Sequence, residues 1–90
     1  MRTSNKECRR LVERCIPFQA NNLSAGFVGD VYVVFSYNWF PIWACIDGVW
    51  YGHRQRYSTS TSKHVSQSMP AGEVLQYVED YRALDAIISG

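Results

Sequence analysis

Asp47-Gly48 is the pair of residues that most restricts what this chain can become. A two-residue type I′ turn needs positive φ at both central positions, and Asp-Gly is among the few pairs that supply it. The pair lies between Phe40-Pro41-Ile42-Trp43-Ala44-Cys45-Ile46 and Val49-Trp50-Tyr51-Gly52-His53. Both runs are aromatic and β-branched, the residue types that fit a pleated surface. An antiparallel hairpin centred on residues 47–48 follows. Val31-Tyr32-Val33-Val34-Phe35-Ser36-Tyr37 reads as a further strand, with Asn38-Trp39 as its turn into the next. Pro41 has no amide hydrogen, which places it at a strand start or on an edge. The returning strand extends as far as Tyr57, with Gly52 marking a bulge or a close approach.

The flanks are helical in pattern. Ser4 and Glu7 form an S-x-x-E capping box. Cys8, Leu11, Val12 and Cys15 then recur at i, i+3, i+4 and i+7, so a helix is expected over Ser4–Arg14, stopped by Pro17. Val74, Tyr77, Val78, Tyr81, Leu84 and Ile88 predict a second helix over Pro70–Ser89. Residues 18–30 read as a loop with a short strand near Phe18 or near Leu23–Val28. Residues 58–68 hold seven Ser or Thr in eleven positions and read as a polar loop or a short helical turn. The expected class is α+β: an N-terminal helix, a three- to four-stranded antiparallel β-meander, and a C-terminal helix packed on one sheet face.

The length of 90 residues makes residues 1–90 a single domain, and 47% hydrophobic residues exclude a disordered tail. The apolar runs are too short to span a bilayer, and the N-terminal stretch lacks a signal-peptide core. A cytoplasmic chain with no membrane partner is the expectation. Cys8, Cys15 and Cys45 contain no C-x-x-C, and His53 and His64 are the two histidines, so free thiols, no metal site and no cofactor are expected. Net charge is only +1, but its distribution is uneven. Residues 1–20 carry five basic and two acidic side chains, and residues 70–90 carry one basic and four acidic. Two readings fit: terminal helices that pair with each other, or a basic face for an acidic partner.

Ten of the thirteen aromatics lie between Phe27 and Tyr57. Alternation puts Val31, Val33, Phe35 and Tyr37 on one face of their strand, and Phe40, Ile42, Ala44 and Ile46 on one face of the next. These form the expected core side. Tyr32, Trp43, Trp50, Arg54 and Arg56 then share the opposite surface, unless a slip in register or a bulge reverses part of it. Such a surface fits protein recognition, which favours Trp, Tyr and Arg. It also fits single-stranded nucleic acid, which stacks on aromatics. The low net charge ranks nucleic acid second.

Thr61-Ser62-Lys63-His64 sets hydroxyls, an ammonium and an imidazole side by side. With Ser36-Tyr37, Phe40-Pro41-Ile42, Trp50, Tyr57-Ser58, Ser66-Gln67 and Pro70, it resembles the pattern of a family of small domains encoded mostly by bacteriophages and other mobile elements. The resemblance covers roughly residues 18–70. Ser60 and Val65 depart from it, where a second Thr and a polar residue are common. It implies phage origin and carries no reaction with it. A serine nucleophile beside His64 has no motif-placed carboxylate among Asp30, Asp47 and Glu73. Cys45 paired with His53 or His64 lies in an apolar strand, which makes a thiol inert. The expectation is therefore a non-enzymatic protein: a small phage-encoded anti-defence protein, for example an anti-CRISPR, acting in the host cell. Its partner is a host defence protein or protein–nucleic-acid complex, and it is itself a monomer or homodimer. The expected partner-binding residues are Tyr32, Trp43, Trp50, Arg54, Arg56, Lys63 and His64. The alternative is a nucleic-acid-binding accessory protein using the aromatic and Arg sheet face.

Overall fold

The computed structural model describes residues 2–53, 59–70 and 75–90. A 3-10 turn over Asn5–Glu7 leads into α1 (Cys8–Glu13). Five strands follow: β1 (Phe18–Gln19), β2 (Leu23–Val28), β3 (Val31–Ser36), β4 (Phe40–Ile46) and β5 (Val49–His53). Then come α2 (Thr59–Ser68), β6 (Leu75–Val78) and α3 (Tyr81–Ser89). The six strands form one sheet in chain order. Strands β1 to β5 are an antiparallel meander, and β6 adds to β5 in parallel. The class is α+β as expected, but the sheet is larger and mixed.

The Asp47-Gly48 hairpin forms as its residues require. Asp47 has φ 52°, Gly48 has φ 79°, and Ile46 pairs with Val49 across the turn. The preceding turn is shifted one residue from expectation. Tyr37 (φ 55°) and Asn38 (φ 64°) take the left-handed positions, and the Trp39 N–H donates to the Ser36 carbonyl at 3.4 Å.

The sheet is covered on both faces. One core gathers Cys8, Leu11 and Val12 of α1 with Leu23, Tyr32, Val34, Trp43 and Trp50. The other sets Leu84 and Ile88 of α3 against Val33 and Ala44. This placement corrects two expectations. The terminal helices do not pair with each other, because they lie on opposite sides of the sheet. Tyr32, Trp43 and Trp50 do not form an open platform, being only 1%, 2% and 8% exposed. A sheet buried on both faces needs apolar residues at successive positions, which is why Val31–Phe35 shows little polar alternation. Buried Tyr32 donates its hydroxyl proton to the Ile16 carbonyl at 2.8 Å, and its ring meets Trp50 edge-on at 6.0 Å.

A bulge breaks the expected alternation of β4. Val34 pairs with Trp43 and Phe35 with Pro41, so Ile42 is the extra residue. Ile42 and Trp43 consequently join the same core, and Ile42 leaves the face of Ala44.

The helices differ from expectation at their ends. Ser4 caps without a side-chain hydrogen bond. α1 closes before Pro17, through Cys15 at φ 53°. The Ile16 N–H donates to the Leu11 carbonyl and the Cys15 N–H to the Val12 carbonyl, a Schellman closure. The expected helix over Pro70–Ser89 divides into β6 and α3. Asp80 starts α3 by accepting the Ala83 N–H at 2.9 Å.

Gly52 is a close approach. A Cβ there would lie 2.5 Å from the Trp43 ring, whereas Gly26 has nothing within 4 Å. Gly52→Ala is expected to cost about 1–3 kcal/mol through overpacking, read as a fall of several degrees in Tm. Gly26→Ala is the control and should melt close to the parent protein. Equal melting of the two variants would refute this packing.

Candidate functional site

The residues of the polar motif converge where three turns meet α2. His64 is the anchor. Its Nδ1 lies 2.8 Å from the Oγ of Ser36, the last residue of β3. Ser36 is fully buried and His64 is 7% exposed. One helical turn later, the Ser68 hydroxyl donates to the His64 carbonyl at 2.6 Å. The Tyr37 ring lies 5.4 Å from the imidazole. Two further contacts seat α2: the Trp43 Nε1–H donates to the Val65 carbonyl, and the Cys8 thiol to the Gln67 carbonyl, each at 3.4 Å.

Beside this anchor lies a pocket of about 230 Å³ lined by Asn5, Asn21, Asn22, Tyr37, Lys63, His64 and Gln67. Its walls are tied together. Asn5 donates its side-chain amide to the Asn21 carbonyl at 3.1 Å and accepts the Asn21 N–H at 3.0 Å. The Tyr37 N–H donates to the Asn22 carbonyl at 2.8 Å. Asn22 (φ 58°) and Tyr37 are both left-handed. Asparagine tolerates that region, whereas a bulky residue does so only when its surroundings hold it there. Lys63 is exposed at the rim. The Gln67 Oε1 is buried and has no hydrogen-bond partner among the described residues.

Burial lowers the pKa of His64 below its usual value, because the charged form loses hydration. His53 is lowered mainly by burial as well, against the opposing effects of the Pro41 carbonyl and Asp80. The pocket therefore carries one formal charge at neutral pH, that of Lys63. Polar amides, one aromatic ring and one ammonium can bind and orient a ligand. Ser36 lies too deep for its hydroxyl to reach a substrate carbonyl.

Of the sequence-predicted site residues, Lys63 and His64 line this pocket. Tyr32, Trp43 and Trp50 lie in the core, and Arg54 and Arg56 fall outside the described residues. The two Cys–His pairings are not made. The His53 Nε2 meets the Pro41 carbonyl at 2.8 Å, and the Cys45 thiol is close enough to the Cys15 thiol to raise its pKa. Asn5, Asn21, Asn22, Tyr37 and Gln67 are additions. The Asn21-Asn22 pair and the spacing of Lys63 and Gln67, one helical turn apart, are the signals that point to them. Among the described residues no cluster of metal-ligating side chains occurs, and no helix is long and apolar enough to cross a membrane. Comparison with family models, curated proteins and solved structures finds no match to this chain.

Two measurements check this chemistry. The unfolded chain protonates its histidines near pH 6.5, whereas the folded chain resists until lower pH. Stability should therefore fall as pH drops below that value. Melts from about pH 7.5 to about pH 5.5 should show this decline. His64→Asn, which keeps a side-chain polar group but does not titrate, should make it shallower and leave the His53 share; an unchanged slope would place the titration elsewhere. Burial also pushes the Cys8 thiol up to about 11, and burial together with the Cys45 thiol does the same for Cys15. At neutral pH both should react with a thiol reagent at least ~100-fold more slowly than an ordinary thiol. All three cysteines should titrate once the chain is denatured.

Proposed function

We propose that this chain is a non-enzymatic binding protein of the anti-defence kind: a small phage-encoded inhibitor, for example an anti-CRISPR, that occupies a surface of a host defence complex. The observation that carries the reading is the β3–β4 turn, residues 37–39. Tyr37 is 42% exposed and Trp39 is 62% exposed. Tyr37 lines the pocket with Lys63, and Trp39, two residues on, meets Phe40 and Tyr81 edge-on, so the turn presents large aromatics on a rigid hairpin. Exposed Trp and Tyr on a preorganised scaffold are the residue types that dominate protein interfaces.

The basic side of the molecule supports an acidic partner. Lys6, Arg9, Arg10 and Arg14 are exposed along the 3-10 turn and α1. They lie over the same sheet face as α2, while Asp85 lies on α3, beyond the other. Such an asymmetric charge orients a partner on approach. The phage and anti-defence parts of the proposal rest on chain size and the motif resemblance. Arg54 and Arg56 enter it from the sequence alone.

The test is a plaque assay on a host with active defence. Cells expressing the chain should regain phage sensitivity. Trp39→Ala and Lys63→Ala should keep the parental fold, since neither side chain is buried. Each should weaken the inhibited complex by ~1–3 kcal/mol, the range of interface hot spots. Unchanged plaquing with the parent chain would reject the anti-defence reading. Tight binding to free RNA or DNA with steep salt dependence would favour the nucleic-acid accessory reading instead.

A further inference from the structure

We infer that Cys15 and Cys45 form an oxidation site, at which hydrogen peroxide joins them in a reversible disulfide that ties the end of α1 to β4. Neither residue lines the pocket beside α2.

Tyr32 brings the two thiols together. Cys45 sits directly opposite Tyr32 in the β3–β4 register, so their side chains share one sheet face with Cβ atoms roughly 5 Å apart. The Tyr32 hydroxyl crosses that face to donate to the Ile16 carbonyl at 2.8 Å, and Ile16 directly follows Cys15. Cys15 and Cys45 both pack against the core that holds Tyr32. Their proximity has an electrostatic signature, because burial and the neighbouring Cys45 thiol push the Cys15 thiol up to about 11.

Cys8 marks the contrast. It is fully buried, and its thiol donates to the Asn5 and Gln67 carbonyls at 3.0 and 3.4 Å. It opens α1 while Cys15 lies just past the helix end, so the helix holds the two roughly 9 Å apart. Cα atoms more than about 7 Å apart are not bridged by a disulfide. Cys15 and Cys45 are both half-buried, which leaves them open to a small oxidant.

The chemistry balances with hydrogen peroxide. One sulfur, as thiolate, attacks a peroxide oxygen, the O–O bond breaks, and a sulfenic acid and one water result. The second thiol attacks the sulfenic sulfur, the S–O bond breaks, and a second water leaves as the S–S bond forms. The two thiols lose two electrons, the peroxide gains them, and the two thiol protons end in the waters. Burial makes the first step slow. The second step is intramolecular, so it outruns further oxidation of the sulfenic acid. The bond closes a loop over residues 15–45, from the end of α1 to β4. Such a cross-link restricts the unfolded chain and stabilises the folded one.

The experiment treats the intact chain with hydrogen peroxide, alkylates the remaining thiols after denaturation, and maps the product by mass spectrometry. The free thiols should fall from three to one, with Cys8 the residue alkylated. Cleavage at Asp30 should leave the peptides holding Cys15 and Cys45 joined until dithiothreitol is added. The oxidised chain should melt several degrees higher, and dithiothreitol should restore the original Tm. Cys45→Ser should form no intramolecular disulfide and show no rise in Tm on the same treatment. If that variant does not fold, the linkage mapped in the parent chain decides the matter alone. A disulfide that includes Cys8, a link between two chains, sulfinic acid on separate cysteines, or an oxidised chain that melts no higher than the reduced one would overturn the inference.

Discussion

A buried hydrogen bond between Ser36 and His64 holds α2 against the sheet, and the pocket depends on it. Seven of the eleven residues over 58–68 are Ser or Thr, so the helix has little apolar surface with which to dock. Polar contacts take that role instead. The Trp43 indole and the Cys8 thiol each reach a carbonyl of the helix, so its attachment spans both β4 and α1. Hydrogen bonds are directional and hydrophobic contacts are not. A helix seated this way has one rotation about its axis, and that rotation brings Lys63 and Gln67 to the same opening.

The same polar docking explains what could be read from the sequence and what could not. The 47–48 hairpin was legible because Asp and Gly declare their backbone conformation locally. The Cys8, Leu11 and Val12 stripe was legible because it buries hydrocarbon at helical spacing. α2 was not legible as a full helix, since apolar periodicity is silent when a helix packs through His64 and Ser68. β6 was hidden by a coincidence of period. Val74, Tyr77, Val78 and Tyr81 fit a helix, yet Leu75–Val78 pairs with β5, and the boundary rests on a single cap, Asp80. The buried fate of Tyr32, Trp43 and Trp50 depended on which faces the helices take, a long-range property that alternation within a strand does not contain. Of the site, Lys63 and His64 were visible as a motif. Their partners Asn5, Asn21, Asn22 and Tyr37 come from turns far away in sequence.

Placing the terminal helices on opposite faces also separates the molecule's charges. The basic residues of the 3-10 turn and α1 and the acidic Glu79, Asp80 and Asp85 would have offset one another had the helices packed together. Held apart by the sheet, they give a nearly neutral protein two unlike sides. The pocket opens by the basic one, between Asn5 of the 3-10 turn and Tyr37 of the β3–β4 turn.

The parallel pairing of β6 with β5 bears on how the chain assembles. Each of the first five strands meets its neighbour across a turn of two or three residues, so those pairings close quickly. β6 reaches β5 only across residues 54–74, a connection that contains α2. Closing a loop of that length costs more chain entropy, and parallel pairing gains less per residue than antiparallel. The meander is therefore the natural nucleus, with β6 and α3 joining last. Until they join, Val33 and Ala44 face water, and the sheet's second face is the surface on which two half-folded chains would meet.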